Sequence, residues 1–241
     1  MKKDSPWLNE IPKAKVIFDE VLKELQKDNF ETKIKNGQIS LSQASQLLEN
    51  KCHEQYRKYE KEVKNRYIVI HDPVKLESSL SQSRMARAGE TVEMILQYLL
   101  RLLNIPCERN VRYPKGRDGE SLDIVVPNIE QLQHDPTKAV IISIKRNVRE
   151  RWREVVGEAY ILRGIHKIPD NIWFVTITCD ISSYIVDSMS KLNIRVYVPD
   201  ECFKEYECYG ARPISKMFDD LVEFLKDKGI RYGNLEDFFE K

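Results

Sequence analysis

The hydrophobic period of the chain changes near Asn104-Ile105-Pro106, and this change restricts the fold more than any other sequence feature. Before it, Val92, Ile95, Leu96, Leu99, Leu100 and Leu103 recur every three or four residues, which predicts a helix over Thr91 to Leu103 with Glu93 at the edge of its apolar stripe. After it, Val111 to Tyr113, Leu122 to Val126 and Ala139 to Lys145 read as short strands separated by Gly- and Pro-containing turns. A helix follows over Arg149 to Leu162, with Trp152, Val155, Val156, Ala159 and Leu162 on one face and Trp152 as an anchor against the sheet. The pattern closes with a strand at Ile172 to Thr178, a helix at Ile185 to Leu192, a strand at Arg195 to Val198 and an amphipathic helix at Ile214 to Leu225. Strands interleaved with helices predict an α/β fold, a mixed central sheet flanked by helices. No internal repeat and no Gly-rich phosphate loop competes with it.

The first 66 residues read as helical, with Val16, Ile17, Val21, Leu22 and Leu25 on one face and a more polar run from Ser40 or Ser42 past Tyr59. The predicted organisation is an N-terminal helical subdomain over 1–77 and a second domain over 78–241. The lysines of the first part form a solvated face or, alternatively, a surface for a polyanion; Tyr56, Tyr59 and Tyr67 interleave with them and serve either as core and cap or as stacking platforms.

Composition nominates no partner, because 39 Lys and Arg against 38 Asp and Glu leave a formal charge of +1. With 32% charged and 41% apolar residues and sparse Gly and Pro, low-complexity disorder and collagen are disfavoured. The five cysteines form no CxxC pair and follow no apolar export segment, so they are expected as reduced thiols in a cytoplasmic protein without a membrane span. Cys202 and Cys208 can meet in a turn, but no histidines stand at zinc-ligand spacing. His53, His71, His134 and His166 are scattered, which disfavours a catalytic histidine.

The chemistry-bearing stretch runs from Asp123 to Glu158. Side chains two apart on a strand share a face, so Ser143 and Lys145 point into one cleft while Ile144 packs behind them, and Asp123 on a neighbouring strand completes the cluster. Phosphodiester hydrolysis needs hard oxygen ligands for Mg²⁺, an in-line water and positive charge near the phosphate. Asp123 is a candidate ligand and Lys145 a candidate to hold the water. The triplet resembles the PD-(D/E)xK motif, whose usual members carry an acid where this sequence has Ser143, and the resemblance makes Glu158, on the helix after the strand, the replacement carboxylate.

This arrangement resembles the PD-(D/E)xK nucleases. In its SxK form with a displaced acid it is similar to the CCGG superfamily of type II restriction endonucleases, and Lys145-Arg146-Asn147-Val148-Arg149-Glu150-Arg151 resembles the SsoII/PspGI/EcoRII-like group. The resemblance implies a PD-(D/E)xK restriction-endonuclease-like fold with an N-terminal helical subdomain, in which Arg149, Glu150 and Arg151 read C:G pairs in the major groove. Chemistry permits this, because Arg donates twice to guanine O6 and N7 and Glu accepts from cytosine N4. The resemblance also places Gln82 at the bases and Glu93 near the catalytic cluster, beside Asp123, Lys145 and Glu158; Arg84 and Arg87 position phosphates or cap local helices. Glu90 and Asp118 are read as surface acids.

The implied activity is Mg²⁺-dependent hydrolysis of duplex DNA at a palindrome with outer CC/GG pairs, CCNGG or CCWGG, leaving 5′ overhangs. A homodimer with one cut per protomer, extrusion of the central base with Tyr56 or Tyr59 as candidate platforms, and a cognate DNA methyltransferase in the same cell complete the expectation. The alternatives are cleavage at an uninterrupted CCGG-containing site, a structure-selective repair nuclease or junction resolvase on the same core, and a catalytically silent DNA-binding protein. A bland reading also exists: Asp123 and Lys145 as a satisfied ion pair, and Arg149, Arg151 and Arg153 paired locally with Glu150, Glu154 and Glu158. Local charge separates these readings from the neutral total. Lys145, Arg146, Arg149, Arg151 and Arg153 crowd one segment, while many balancing acids lie beyond Asp219.

Overall fold

A computed structural model describes residues 5–116, 119–149 and 151–230. Asp118, Glu150 and the acids beyond residue 230 lie outside the described residues. The chain separates into two compact units, Met1–Ile39 with Gln43–Ile95, and Ser40–Ser42 with Leu96–Lys241.

The first unit is helical. It holds α1 (Ala14–Gln26), α2 (Phe30–Lys35), nearly all of α3 (Leu41–Tyr67) and most of α4 (Pro73–Leu102). In α1 the apolar residues Ile17, Phe18, Val21 and Leu25 are buried at helical spacing, whereas Val16 is largely exposed, so the buried stripe is rotated from the one the sequence predicts. The α4 helix begins eighteen residues before the predicted Thr91. The reason is local: Asp72 Oδ1 accepts the Val74 N–H at 2.9 Å and Pro73 opens the first turn, an N-terminal signal that the polar run behind it obscures.

The second unit is built on a six-stranded sheet, ordered β1 (Glu108–Tyr113), β2 (Glu120–Val126), β3 (Val140–Ile144), β4 (Ile172–Val175), β5 (Arg195–Val198) and β6 (Ala211–Pro213). The pairings β1–β2 and β2–β3 are antiparallel, and those from β3 to β6 are parallel. Every residue of β3 and β4 is buried, as expected for central parallel strands covered on both faces. The crossover helices α6 (Trp152–Gly164) and α7 (Ser183–Lys191) bury Val155, Ala159, Leu162, Ile185, Val186 and Met189 in one cluster with Phe174 and Val196 of the sheet. Trp152 packs against this cluster, in the anchoring role predicted for it.

Five short elements of this unit were not predicted: α5 (Ile129–His134), α8 (Phe203–Tyr206), β6 and 3-10 turns at Pro136–Lys138 and Glu207–Tyr209. Helix α9 (Ile214–Asp227) follows β6 and packs on β5 and β6. The reduced-thiol expectation is corrected for two cysteines. Cys179, after β4, and Cys202, after β5, form a disulfide, whereas Cys52 and Cys107 are buried thiols and Cys208 an exposed one. The pairing of neighbouring parallel strands brings their trailing loops together, which sequence spacing does not reveal. Among the described residues no helix is long and apolar enough to cross a membrane.

Candidate active site

The site forms where the sheet changes from antiparallel to parallel pairing, at the carboxyl end of β3. The β2–β3 ladder runs from Val126 opposite Val140 to Ile124 opposite Ile142 and stops there. One position further, Asp123 turns its carboxylate across the gap, and its Oδ2 accepts the Ile144 backbone N–H at 2.7 Å. The acid thus replaces a lost ladder bond, which fixes its orientation.

Lys145 follows β3, and its backbone N–H donates to the Val175 carbonyl of β4 at 3.2 Å. Its side chain is 6% exposed and donates from Nζ to Asp123 Oδ2 at 3.1 Å; Nζ also lies 3.9 Å from Glu158 Oε1. Glu158 falls between the buried Val155, Ala159 and Leu162 of α6, at the edge of the stripe that faces the sheet. From there it reaches β3: Ser143 Oγ is 3.1 Å from Glu158 Oε2 and 3.4 Å from Asp123 Oδ2. The structure therefore brings together Asp123, Lys145 and Glu158, with Ser143 as the hydroxyl between the two acids. The serine counted in sequence as a missing acid is a bridge, and the period of the SxK triplet already placed it on the right face.

Charge in this cluster does not balance. Two carboxylates face a single ammonium in a largely buried setting, and burial pushes the Glu158 carboxyl above its ordinary value, with Lys145 pulling it down and Asp123 adding to the rise. Among the described residues no three His, Cys, Asp or Glu side chains gather as a metal cage. A pair of oxygen donors with surplus negative charge nonetheless fits Mg²⁺, which typically keeps waters and binds through one or two carboxylates plus substrate phosphate.

The arginines sit beside this cluster. Arg149 and Arg151 precede α6, which begins at Trp152 rather than at the predicted Arg149; Arg151 is the helix N-cap residue. Val148, at 0% exposure, pins this turn to the core while the arginines face outward. Arg151 donates to Glu154, Nε to Oε2 and Nη2 to Oε2 both at 3.0 Å, and this contact raises its pKa. Arg149 donates from Nε to Asp180 Oδ1 at 2.9 Å. The local-pairing reading holds for Arg151, whereas Arg149 has a partner on another connection.

Gln82, Arg84 and Glu93 lie on the part of α4 in the helical unit, apart in sequence and in unit from Asp123. Gln82 is exposed there. Arg84 lies 3.6 Å from the buried Glu60, and Arg87 donates to the carbonyls of Ile11 and Pro12 and contacts Ser83. Tyr56 is 5% exposed with Arg87 above its ring, Tyr59 donates to Glu20, and Tyr67 contacts Glu10. Sequence reasoning missed Asp180 and the bridging role of Ser143; no local pattern marks an isolated loop aspartate.

Residues 48–221 match the family model described as EcoRII C terminal. Over 164 residues, 65% of this chain, the sequence is 26% identical to the type II restriction enzyme SsoII of Shigella sonnei; the match covers 51% of that protein, so the chain spans about half the length of this relative. A solved complex of restriction endonuclease PspGI with substrate DNA aligns at a TM-score of 0.80 and 31% identity, over 90% of this chain and 94% of that one. Metal-depleted Ecl18kI in complex with uncleaved, modified DNA shares the fold at a TM-score of 0.75 and 18% identity, over 94% of this chain and 83% of that one. With the family model matching most of its length and the acid–lysine–acid cluster at the sheet's switch point, the chain belongs to the EcoRII C-terminal family.

Proposed function

We propose that this chain is a site-specific, Mg²⁺-dependent endonuclease that hydrolyses both strands of duplex DNA at a short palindrome with outer CC/GG pairs, CCNGG or CCWGG, leaving 5′ overhangs. The observation that carries the reading is the convergence of Asp123, Glu158 and Lys145 at the end of β3, in a chain whose match to the family model spans that whole segment. Asp123 and Glu158 are the residues that would hold Mg²⁺. When bound, the ion supplies Lewis acidity at a phosphate oxygen and lowers the pKa of a nearby water.

The chain's own residues do the rest. Asp123 is fixed by the Ile144 N–H, so its second oxygen is the one available to a ligand. Ser143 holds Glu158 toward the same point through its hydroxyl. Lys145 keeps an ammonium beside both acids, where it orients a water and offsets the charge that grows on the phosphate. Direct attack by water needs no covalent enzyme intermediate and inverts phosphorus.

Arg149, Glu150 and Arg151 read the C:G pairs, and Gln82 contacts bases; Glu93 supports the catalytic cluster. A palindromic site calls for a homodimer, each protomer cutting one strand, with the middle base extruded rather than read. Cells that carry such an enzyme need a DNA methyltransferase that blocks their own sites. Digestion of a fully sequenced, unmethylated plasmid with Mg²⁺, followed by mapping of both cut ends, tests the reading: cuts confined to one interrupted CC/GG sequence support it, and random or absent cuts overturn it.

A further inference from the structure

The connection between β4 and α7 runs beside the Arg149–Arg151 turn and is fastened along its length. Thr178 Oγ1 donates to the Arg146 carbonyl at 2.9 Å, so the two segments are tied directly. Cys179 is bonded to Cys202, and Tyr206 Oη donates to the Ile181 carbonyl at 2.8 Å. Asp180 stands between these anchors and accepts from Arg149 Nε at 2.9 Å.

Stability does not account for this pair. The Arg149 side chain is 78% exposed and that of Asp180 44%, a setting in which ion pairs add little to folding because water screens them and two side chains lose rotamer freedom. What the contact does achieve is direction. A contact through Nε does not use the two terminal NH₂ groups, and donors at that end of the fork can bridge O6 and N7 of guanine. Asp180, itself held by a braced loop, sets the plane and reach of the guanidinium before DNA arrives, so less freedom is lost on binding. Arg151 differs, because its Nε and Nη2 are both turned back to Glu154 on its own helix.

We infer that Asp180 is a positioning residue for sequence discrimination: it holds Arg149 for end-on recognition of a guanine in the major groove. The inference rests on the functional reading above and adds to it a residue outside the recognition segment.

The test compares wild type, Asp180→Ala, Asp180→Glu, Arg149→Ala and the Asp180→Ala/Arg149→Ala double variant. Single-turnover cleavage and binding are measured on the mapped site and on duplexes with one outer C:G pair replaced. Asp180→Ala should lower discrimination between these duplexes by about tenfold, while binding to an unrelated duplex stays at the wild-type level. Asp180→Glu should recover part of the loss. In the double variant the loss should equal that of Arg149→Ala alone, since the aspartate acts only through the arginine. Discrimination that survives in Asp180→Ala, or losses that add independently in the double variant, overturn the role of Asp180 alone. A wild type that treats all duplexes alike overturns the functional reading itself, and the role of Asp180 with it.

Discussion

The central sheet carries two acid clusters, one buried and one partly buried, and they are built to opposite ends. On β5, β6 and α9, Asp220 Oδ2 accepts from the Tyr197 hydroxyl at 2.7 Å and from Arg212 Nη1 at 2.5 Å, with Arg195 Nη1 at 3.9 Å and its guanidinium stacked over Trp173. Here one acid is answered by a hydroxyl and two cations. Burial and the contact with Asp220 push the Tyr197 hydroxyl far above its ordinary value, so it stays a donor, and the same acid raises the Arg212 guanidinium. At the end of β3 the proportion reverses, with two acids answered by one lysine. A closed network adds to the fold; an incomplete one costs folding free energy and is retained where a ligand completes it. Burial of an acid alone does not separate the two cases, whereas the local balance of charge does.

The comparison breaks most visibly at Lys145. Lys145→Ala should slow single-turnover cleavage by about 100- to 1000-fold while leaving DNA binding intact, as measured by quench-flow and gel-shift assays. At the other cluster the loss should appear in folding instead. Asp220→Ala leaves the Tyr197 hydroxyl and the half-exposed Arg212 without their acceptor and should reduce stability by about 2 kcal/mol in urea denaturation, with cleavage by the folded fraction unchanged. Tyr197→Phe, which removes only one neutral donor, should cost about 1 kcal/mol by the same measurement.

The smallest expected effect sharpens the contrast furthest. Glu158→Gln relieves a carboxylate crowded by Asp123 and burial, so the metal-free variant should melt no lower than wild type. Mg²⁺ should raise the melting temperature of wild type and leave that of Glu158→Gln unmoved, because a ligand stabilises only the state that binds it. Loss of metal-free stability in Glu158→Gln would place this cluster with that of Asp220.

Much of the fold was legible because its signals are local. The buried runs of β3 and β4 and the stripes of α6 and α7 sit close to where their periods put them. The early start of α4 was missed because its first turns are mostly polar and bury only the sparse apolar residues Leu76 and Leu80, and β6 because Ala211–Pro213 is too short to alternate. Within the site, the acids, the lysine and their shared face could be read from strand alternation and from the position of Glu158 on the following helix. Asp180 could not, since what makes it matter is a neighbour 31 positions away in sequence.

The sequence by itself therefore determined which side chains were available and on which face each would lie, since the periods of strand and helix are properties of a few consecutive residues. Tertiary structure alone decided that β2 gives up a ladder bond to aim Asp123, that Ser143 bridges two acids, that Cys179 meets Cys202 and that Asp180 meets Arg149. Those pairings depend on which strands become neighbours and where their ladders end, and both are set by packing of the whole sheet.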